Sequence, residues 1–451
     1  MKNIKITTTL ILLSGLLLIS GFPATAQQTV SLSLKQAREI AAERAFTVRQ
    51  SMADVETARQ QVKELTATGL PQVNASVGYN DNIGLPVQLV PGDFFGQPGQ
   101  DIEVQFGTKY SGNAGLSVNQ LIFSGSYLVG LQAARTFLAK SEEERKKSVV
   151  DIKKTVSEAY FLVLATQEGI RIVDSTLAIT EKLAGETRVI YENGLTEETE
   201  YDQLQLMVSE LQVNKANALN QLSVARSFLK YHLGLPGSTE LILTQTMGEL
   251  IDEMAPAALL DRSFDPGGNI DFRILKKQQD LAYLDLRRQK SLYLPSVSAF
   301  LNYQTQAQRA EWDFFDPLGK WYSSSVWGIN MNIPIFSSGE RMAKVKQARV
   351  QVEKTQIAEE QVGSSLKIQH ENAASELRNA LLTYGTTDQN RELSGKIYLR
   401  TSIKFQEGMA GSLDLMNAHN QYLNSQSQYI SASLNVLNRS VAMESLLENP
   451  E

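Results

Sequence analysis

Three histidines (His232, His370 and His419) and no cysteine form the whole stock of imidazole and thiol chemistry in this 451-residue chain. Without a thiol there is no disulfide, no thiolate nucleophile, no cysteine-based zinc site and no iron–sulfur cluster. His232 falls near a predicted helix end, just before Gly234 and Pro236, and is expected to act as a C-terminal dipole partner rather than a ligand. His370 and His419 fall on predicted helices without the carboxylate–histidine spacing of a metal site. No Ser–His–Asp set, phosphate loop or zincin motif is present. A lone carboxylate such as Asp414 on a helix reads by itself as a solvated surface charge. The residues thus predict no catalytic site, no metal and no cofactor. With 43 basic and 49 acidic residues, a net charge of −6 leaves no electrostatic footprint for nucleic acid either.

The elements that would carry any function begin with an export signal. Lys2 and Lys5 precede the apolar run Leu10 to Ile19, and Ala24-Thr25-Ala26 follows, so residues 1–26 read as a signal peptide cut after Ala26. A membrane anchor is the competing reading, but the apolar core is short for a bilayer. Beyond it no stretch approaches the length of a helical span, so an exported chain of this kind is either soluble or a β-barrel.

Charge is absent from four windows: 66–80, 110–134, 291–308 and 321–339. Each holds a period-two run. Val73, Ala75, Val77 and Tyr79 alternate with Gln72, Asn74, Ser76 and Gly78, and Trp327, Ile329, Met331, Ile333 and Ile335 alternate with Gly328, Asn330 and Asn332. Strands with one apolar and one polar, uncharged face predict a transmembrane barrel. An amphipathic strand of a soluble sandwich alternates in the same way, but its wet face normally carries charge. Trp312, Trp321, Tyr322, Trp327, Phe94, Phe95 and Tyr110 are expected at or beyond strand ends, as an interfacial girdle.

Between the strand pairs the chain reads as long helix. Val149, Val156, Val163, Ile170, Leu177, Ala184 and Tyr191 recur every seven residues, a coiled-coil seam flanked by charge. The halves repeat: GLPQVNASVGYN at 69–80 matches YLPSVSAFLNYQ at 293–304, GLSVNQLIFSGS at 115–126 matches GINMNIPIFSSG at 328–339, and YENGLTEETEYDQ at 191–203 matches FQEGMAGSLDLMN at 405–417. The first repeat, 27–233, is predicted as a helix, strands 72–80 and 110–123, a long helix 127–192 and a return helix 197–232. A connector spans 234–268. The second repeat, 269–451, has a helix, strands 296–306 and 323–336, a long helix 340–407 and a return helix 412–447. Four strands cannot close a barrel, and lipid tolerates no open edge, so strands of this kind demand oligomerisation.

In this order and duplicated, the Leu-Pro strand entries, the exits QLIFSG (120–125) and NIPIFSSG (332–339) and the turns YENGLT and FQEGMA resemble the TolC-like outer-membrane efflux proteins across nearly all of 27–451. The long first loop, with GLPVQLVPGDFFGQPG at 84–99, is similar to Bacteroidetes-type members. The resemblance implies a mainly α fold with transmembrane β: long helical hairpins in a periplasmic α-barrel, and four strands per chain in a homotrimeric 12-stranded barrel in outer-membrane lipid. It implies a passive exit duct of a tripartite efflux or type I secretion system, joined through a periplasmic adaptor (membrane fusion) protein to an inner-membrane pump of the RND or ABC class. By position, Gly194, Leu195, Thr196, Gly408, Met409 and Ala410 match hairpin tips that contact the adaptor. Asp414 matches an acidic residue ringing the periplasmic constriction, while a second acidic ring is replaced by Asn417. Thr199 and Glu200 match residues that hold the closed state on a basic partner, here replaced by Ala410, so that latch is missing or rebuilt. The alternative to a duct is an exported, non-enzymatic coiled-coil structural protein.

Overall fold

The computed structural model describes residues 29–96 and 98–448; the predicted signal segment 1–26 lies outside the described residues. The chain forms two compact units. One takes in the chain up to Phe46, Ile152–Asp261 and Ser375–Met443; the other takes in Thr47–Asp151, Arg262–Ala374 and the chain from Glu444. Neither unit coincides with a sequence repeat, because each draws segments from both halves.

In chain order the elements are β1 (Thr29–Leu32), α1 (Leu34–Arg44), α2 (Phe46–Thr68), β2 (Gln72–Asp81), β3 (Val87–Pro91), β4 (Asp101–Gln105), β5 (Tyr110–Phe123), α3 (Gly125–Glu192), α4 (Glu198–Leu233), β6 (Glu240–Leu243), α5 (Met247–Met254), α6 (Pro256–Leu259), α7 (Ile270–Ser291), β7 (Ser296–Arg309), β8 (Tyr322–Asn332), α8 (Glu340–Gln406) and α9 (Ser412–Leu447). At 1.5 Å per residue, the 68 residues of α3 and the 67 of α8 each make a rod of roughly 100 Å. No helix among the described residues is long and apolar enough to cross a membrane.

The unit containing β2 holds a four-stranded antiparallel sheet of order β2-β5-β7-β8. Its register gathers the period-two runs into two faces. Val73, Ala75 and Val77 stand opposite Val118, Leu116 and Ala114. Val118 and Leu116 stand opposite Leu301 and Tyr303, and Leu301 opposite Trp327. The other face carries Asn74, Ser117, Asn302 and their neighbours, interrupted by Phe300 and Val326, with no charged side chain among the paired positions from Gln72 to Asn80. The apolar face is bare: Val77 is 87% exposed, Trp327 76% and Ile329 63%. Water would penalise such a surface, whereas hydrocarbon would cover it without cost.

Several expected boundaries differ. The fourth strand ends at Asn332 rather than at 336, because Pro334 has no N–H to give the ladder. Trp327 therefore lies mid-strand, opposite Leu301, and is not a girdle residue. Trp312, Trp321 and Phe314 do gather beyond the strands, Phe314 packing edge-on to Tyr79 at 5.7 Å and tilted against Trp321 at 6.1 Å. The long first loop carries its own antiparallel hairpin, β3–β4. The helix predicted ahead of the first strand is broken in two at Ala45, where ψ of 141° interrupts the helical path.

The other unit is helical apart from β1 and β6, which pair in parallel from Thr29 opposite Glu240 to Leu32 opposite Leu243. The buried hydroxyl of Tyr160 on α3 donates to the Leu32 carbonyl at 3.0 Å and pins the pair to the helices. α4 stops at Gly234, whose φ of +67° suits glycine, and a Cβ there would come within 2.5 Å of the Arg44 carbonyl. Burial lowers the pKa of His232, which sits edge-on to Phe228 and Tyr231. The imidazole is therefore neutral at physiological pH, and the dipole role expected of a cation falls away.

The two faces of the sheet can be told apart by one charge. Leu301→Lys should cost about 2–4 kcal/mol of folding into lipid vesicles, read as a lowered urea midpoint, whereas Asn302→Lys on the opposite face should cost under about 1 kcal/mol. Equal losses would mean that the apolar face does not meet lipid.

Candidate functional site: the paired helix tips

The duplicated turns close two helices in the same way. At the end of α3, Gly194 N–H donates to Tyr191 O (2.8 Å) and Leu195 N–H to Ile190 O (3.0 Å), with Gly194 at φ +71°. At the end of α8, Gly408 N–H donates to Phe405 O (3.0 Å) and Met409 N–H to Lys404 O (2.7 Å), with Gly408 at φ +70°. This pair of bonds satisfies the last carbonyls of a helix and requires one residue in the left-handed region. Here glycine is a geometric necessity, whatever else touches it. The reversals leave Leu195 77% exposed and Met409 70% exposed, while Thr196 and Ala410 are half-buried.

A cavity of about 640 Å³ opens between the two turns. Leu183, Ile190, Leu195, Phe405 and Met409 supply its apolar wall, and Glu186, Glu197, Glu200 and Asp414 its carboxylates. Every expected tip residue except Gly194 lines it. The cavity therefore offers greasy contact with an acidic rim and no cation.

The expected aperture and latch residues divide into two pairs. Asp414 and Asn417 are exposed on the first turns of α9. Asp414 Oδ2 also accepts the N–H of Gly411 at 3.4 Å, reaching back to the residue that precedes its own helix. Thr199 is exposed, and its hydroxyl donates to Glu197 Oε2 at 3.3 Å. Glu200 is the repeat counterpart of Asp414, yet its carboxylate crosses to the other repeat: Oε2 accepts the N–H of Ser412 at 2.8 Å. Ser412 is the first residue of α9, and its hydroxyl donates to Gln203 Oε1 at 2.5 Å. Gly411 brings no side chain to cap this helix, so Glu200 of α4 accepts its first N–H from across the site while Gln203 holds the Ser412 hydroxyl. A carboxylate at a helix N-terminus gains from both the orphan N–H and the dipole. The expected basic partner at 410 is an alanine, and its place as counter-charge is taken by the positive end of α9. Gln203 and Ser412 had no signal as a pair, since their contact joins residues 209 positions apart.

Behind the tips, Leu177, Leu183 and Ala184 of α3, Leu204, Met207, Val208 and Leu211 of α4, Tyr398 of α8, and Leu415 and Ala418 of α9 form one buried cluster. This core holds the four helices together and thereby sets where the two turns stand. Among the described residues no group of His, Asp and Glu is placed to hold a metal ion.

Removing the crossing carboxylate tests its weight. Glu200→Ala should cost about 0.5–2 kcal/mol, read as a lower urea midpoint and faster proteolytic cutting near 405–412, while Glu200→Gln, which keeps an acceptor, should lose less. Cutting unchanged in Glu200→Ala would show that the clasp is not what orders the α9 start.

The sequence pattern of the outer membrane efflux proteins matches residues 37–235 and 268–449. Outer membrane protein TolC of Vibrio cholerae is 21% identical over 280 residues, a stretch that covers 62% of this chain and 59% of that relative's length. Among solved structures, the outer membrane protein VceC of Vibrio cholerae superposes with a TM-score of 0.68 at 15% identity, covering 93% of this chain and 97% of that one. The open-state MtrE outer membrane channel of Neisseria gonorrhoeae superposes with a TM-score of 0.64 at 18% identity, covering 92% and 88% of the two chains. The two superpositions show that this chain shares its fold with those structures. The chain belongs to the outer membrane efflux protein family.

Proposed function

We propose that this outer-membrane protein is a passive exit duct, its strands in the membrane and its helices in the periplasm, through which substrates leave after an inner-membrane pump has energised them. The single observation that carries the reading is the four-stranded sheet with a bare apolar face, an uncharged polar face and two unpaired edges, β2 and β8. Lipid accepts the first face, a water-filled lumen suits the second, and the edges require further copies of the chain. Three copies give a closed barrel of twelve strands, wide enough for a lumen. An exported coiled-coil structural protein would explain the long helices but leaves the sheet without a purpose.

In this reading the tip cavity is the docking place of a periplasmic adaptor. Leu195 and Met409 offer exposed apolar contact, and the four carboxylates favour a partner hairpin carrying Lys or Arg. Gly194, Thr196, Gly408 and Ala410 shape the turns that present those contacts. Asp414 and Asn417, exposed on α9, would line a constriction in the trimer, where repeated carboxylates raise the local cation concentration and slow anions. Thr199 and Glu200 belong to the closed state, with Glu200 holding the start of α9. The chain performs no chemical step; selection of the substrate and the energy for transport come from the pump.

Extraction and conductance test this together. The full chain should leave outer membranes in detergent as a heat-resistant trimer and form discrete channels in planar bilayers, and a freely soluble monomer would end the duct reading. Within that assay, Asp414→Ala should lower cation selectivity and weaken block by multivalent cations. Unchanged selectivity would remove Asp414 from the constriction.

A further inference from the structure

The buried face of α9 holds one residue that the tip architecture does not account for. His419 is 3% exposed, and its Nδ1 has no hydrogen-bond partner. It lies one turn beyond Leu415 and next to Ala418, both members of the cluster that holds the four tip helices together. Its ring stands edge-on to Tyr398 of α8 at 5.7 Å, and Tyr422 of α9 stacks on the same tyrosine at 5.2 Å. The repeat counterpart of His419 is Gln205, which is exposed. The imidazole was therefore not carried into the core by the duplicated pattern.

What faces it has no counter-charge. From α8 the titratable group is Tyr398, whose hydroxyl faces Thr180 of α3. From α9 it is Tyr422. The core faces of α3 and α4 present Leu177, Leu183 and Ala184, and Leu204, Met207, Val208 and Leu211, with no acid or base among them. An imidazolium in this setting is a desolvated cation without a partner, which is far costlier than the neutral ring.

We propose that His419 is an acid-sensitive brake on the tip: neutral, it completes the core that holds α9 against α3, α4 and α8; protonated, it drives the first turns of α9 out of that core and releases the constriction. The inference rests on the duct reading, because it needs a constriction to release. The sign follows from burial alone, which lowers the packed imidazole to about 4 from an ordinary 6.5. Above pH 6.5 the ring is neutral whether packed or wet, and pH has no leverage. Between 6.5 and 4 a wet ring takes up a proton and a packed ring does not, so acid favours the state in which His419 is wet. Moving from pH 7 to pH 5 shifts that balance about 20-fold towards release. The histidine's share of any pH response is isolated by substitution.

The test is the open probability of the full chain in planar bilayers at pH 7 and pH 5, taken as a ratio for each protein. Wild type should open up to about 20-fold more at pH 5. His419→Leu and His419→Gln, which cannot titrate, should lose this rise. Because each ratio is internal to one protein, a packing change that alters the pH 7 level does not confuse the result. A second readout is hydrogen exchange of 411–423, which should quicken at pH 5, beyond the intrinsic pH effect, in wild type and not in His419→Leu. An equal pH ratio in wild type and both variants would overturn the brake and leave the duct standing. Wild type that forms no channels at either pH would overturn both.

Discussion

An unpaired row of backbone N–H and C=O groups cannot be left facing hydrocarbon, and the rest of this molecule follows from that constraint. The sheet β2-β5-β7-β8 ends in two such rows. No single chain of this length distributes enough strands to remove them, because most of its residues are committed to helices. In the duct reading the edges are closed by copies of the same chain, and closure by rotation makes every interface identical. The duplication serves the same end: each repeat supplies one up-and-down pair, so strands alternate in direction throughout the sheet and across any edge-to-edge closure. The long helices leave from the strand ends opposite the two interstrand loops.

The repeat is therefore a scaffold, and the functional asymmetry lies where its copies diverge. Both turns share the same glycine-centred closure, with φ of +71° and +70°. Past the turns the copies separate. Glu200 and Asp414 occupy equivalent positions, yet one crosses to the far helix and the other folds back on its own. Ser412 answers Glu198, and His419 answers Gln205, a buried ring in place of an exposed amide. A duplicated hairpin with identical halves could only move as two equal parts. These substitutions tie one return helix to the other through its first turn, so the two hairpins can act differently.

Much of this was legible in the residues because its causes are local. The period-two runs located all four strands of the main sheet, and the register then placed Val77, Ala114 and Thr305 in one row as alternation requires. The proline entries at 71 and 295 and the glycine turns at 194 and 408 marked boundaries that need a particular backbone angle. What escaped had non-local causes. β1 and β6 are four residues each, too short to show a period, and they exist only because they find one another. The Glu200–Ser412 contact depends on two turns being brought side by side by a core that gathers side chains from all four helices. His419 did carry a faint mark, since it stands four residues after Leu415 and three before Tyr422, the spacing of one helix face. Its neutral state, like that of His232, follows from burial, which spacing alone does not reveal.

The parallel pairing of β1 with β6 has a consequence for the order in which this chain can be built. Thr29–Leu32 is the first described element of the sequence, and its only strand partner, Glu240–Leu243, lies 211 residues later. Secreted N-terminus first, β1 must remain unpaired until the whole first repeat has emerged into the periplasm. Throughout that interval it is a short extended segment with free backbone groups, while the uncharged strands that follow it have no membrane around them. Such a sequence of events favours folding that completes late and nearly all at once, and it exposes the nascent chain to aggregation for as long as export of the first repeat takes. When folding can complete is thus set by where one four-residue strand finds its partner.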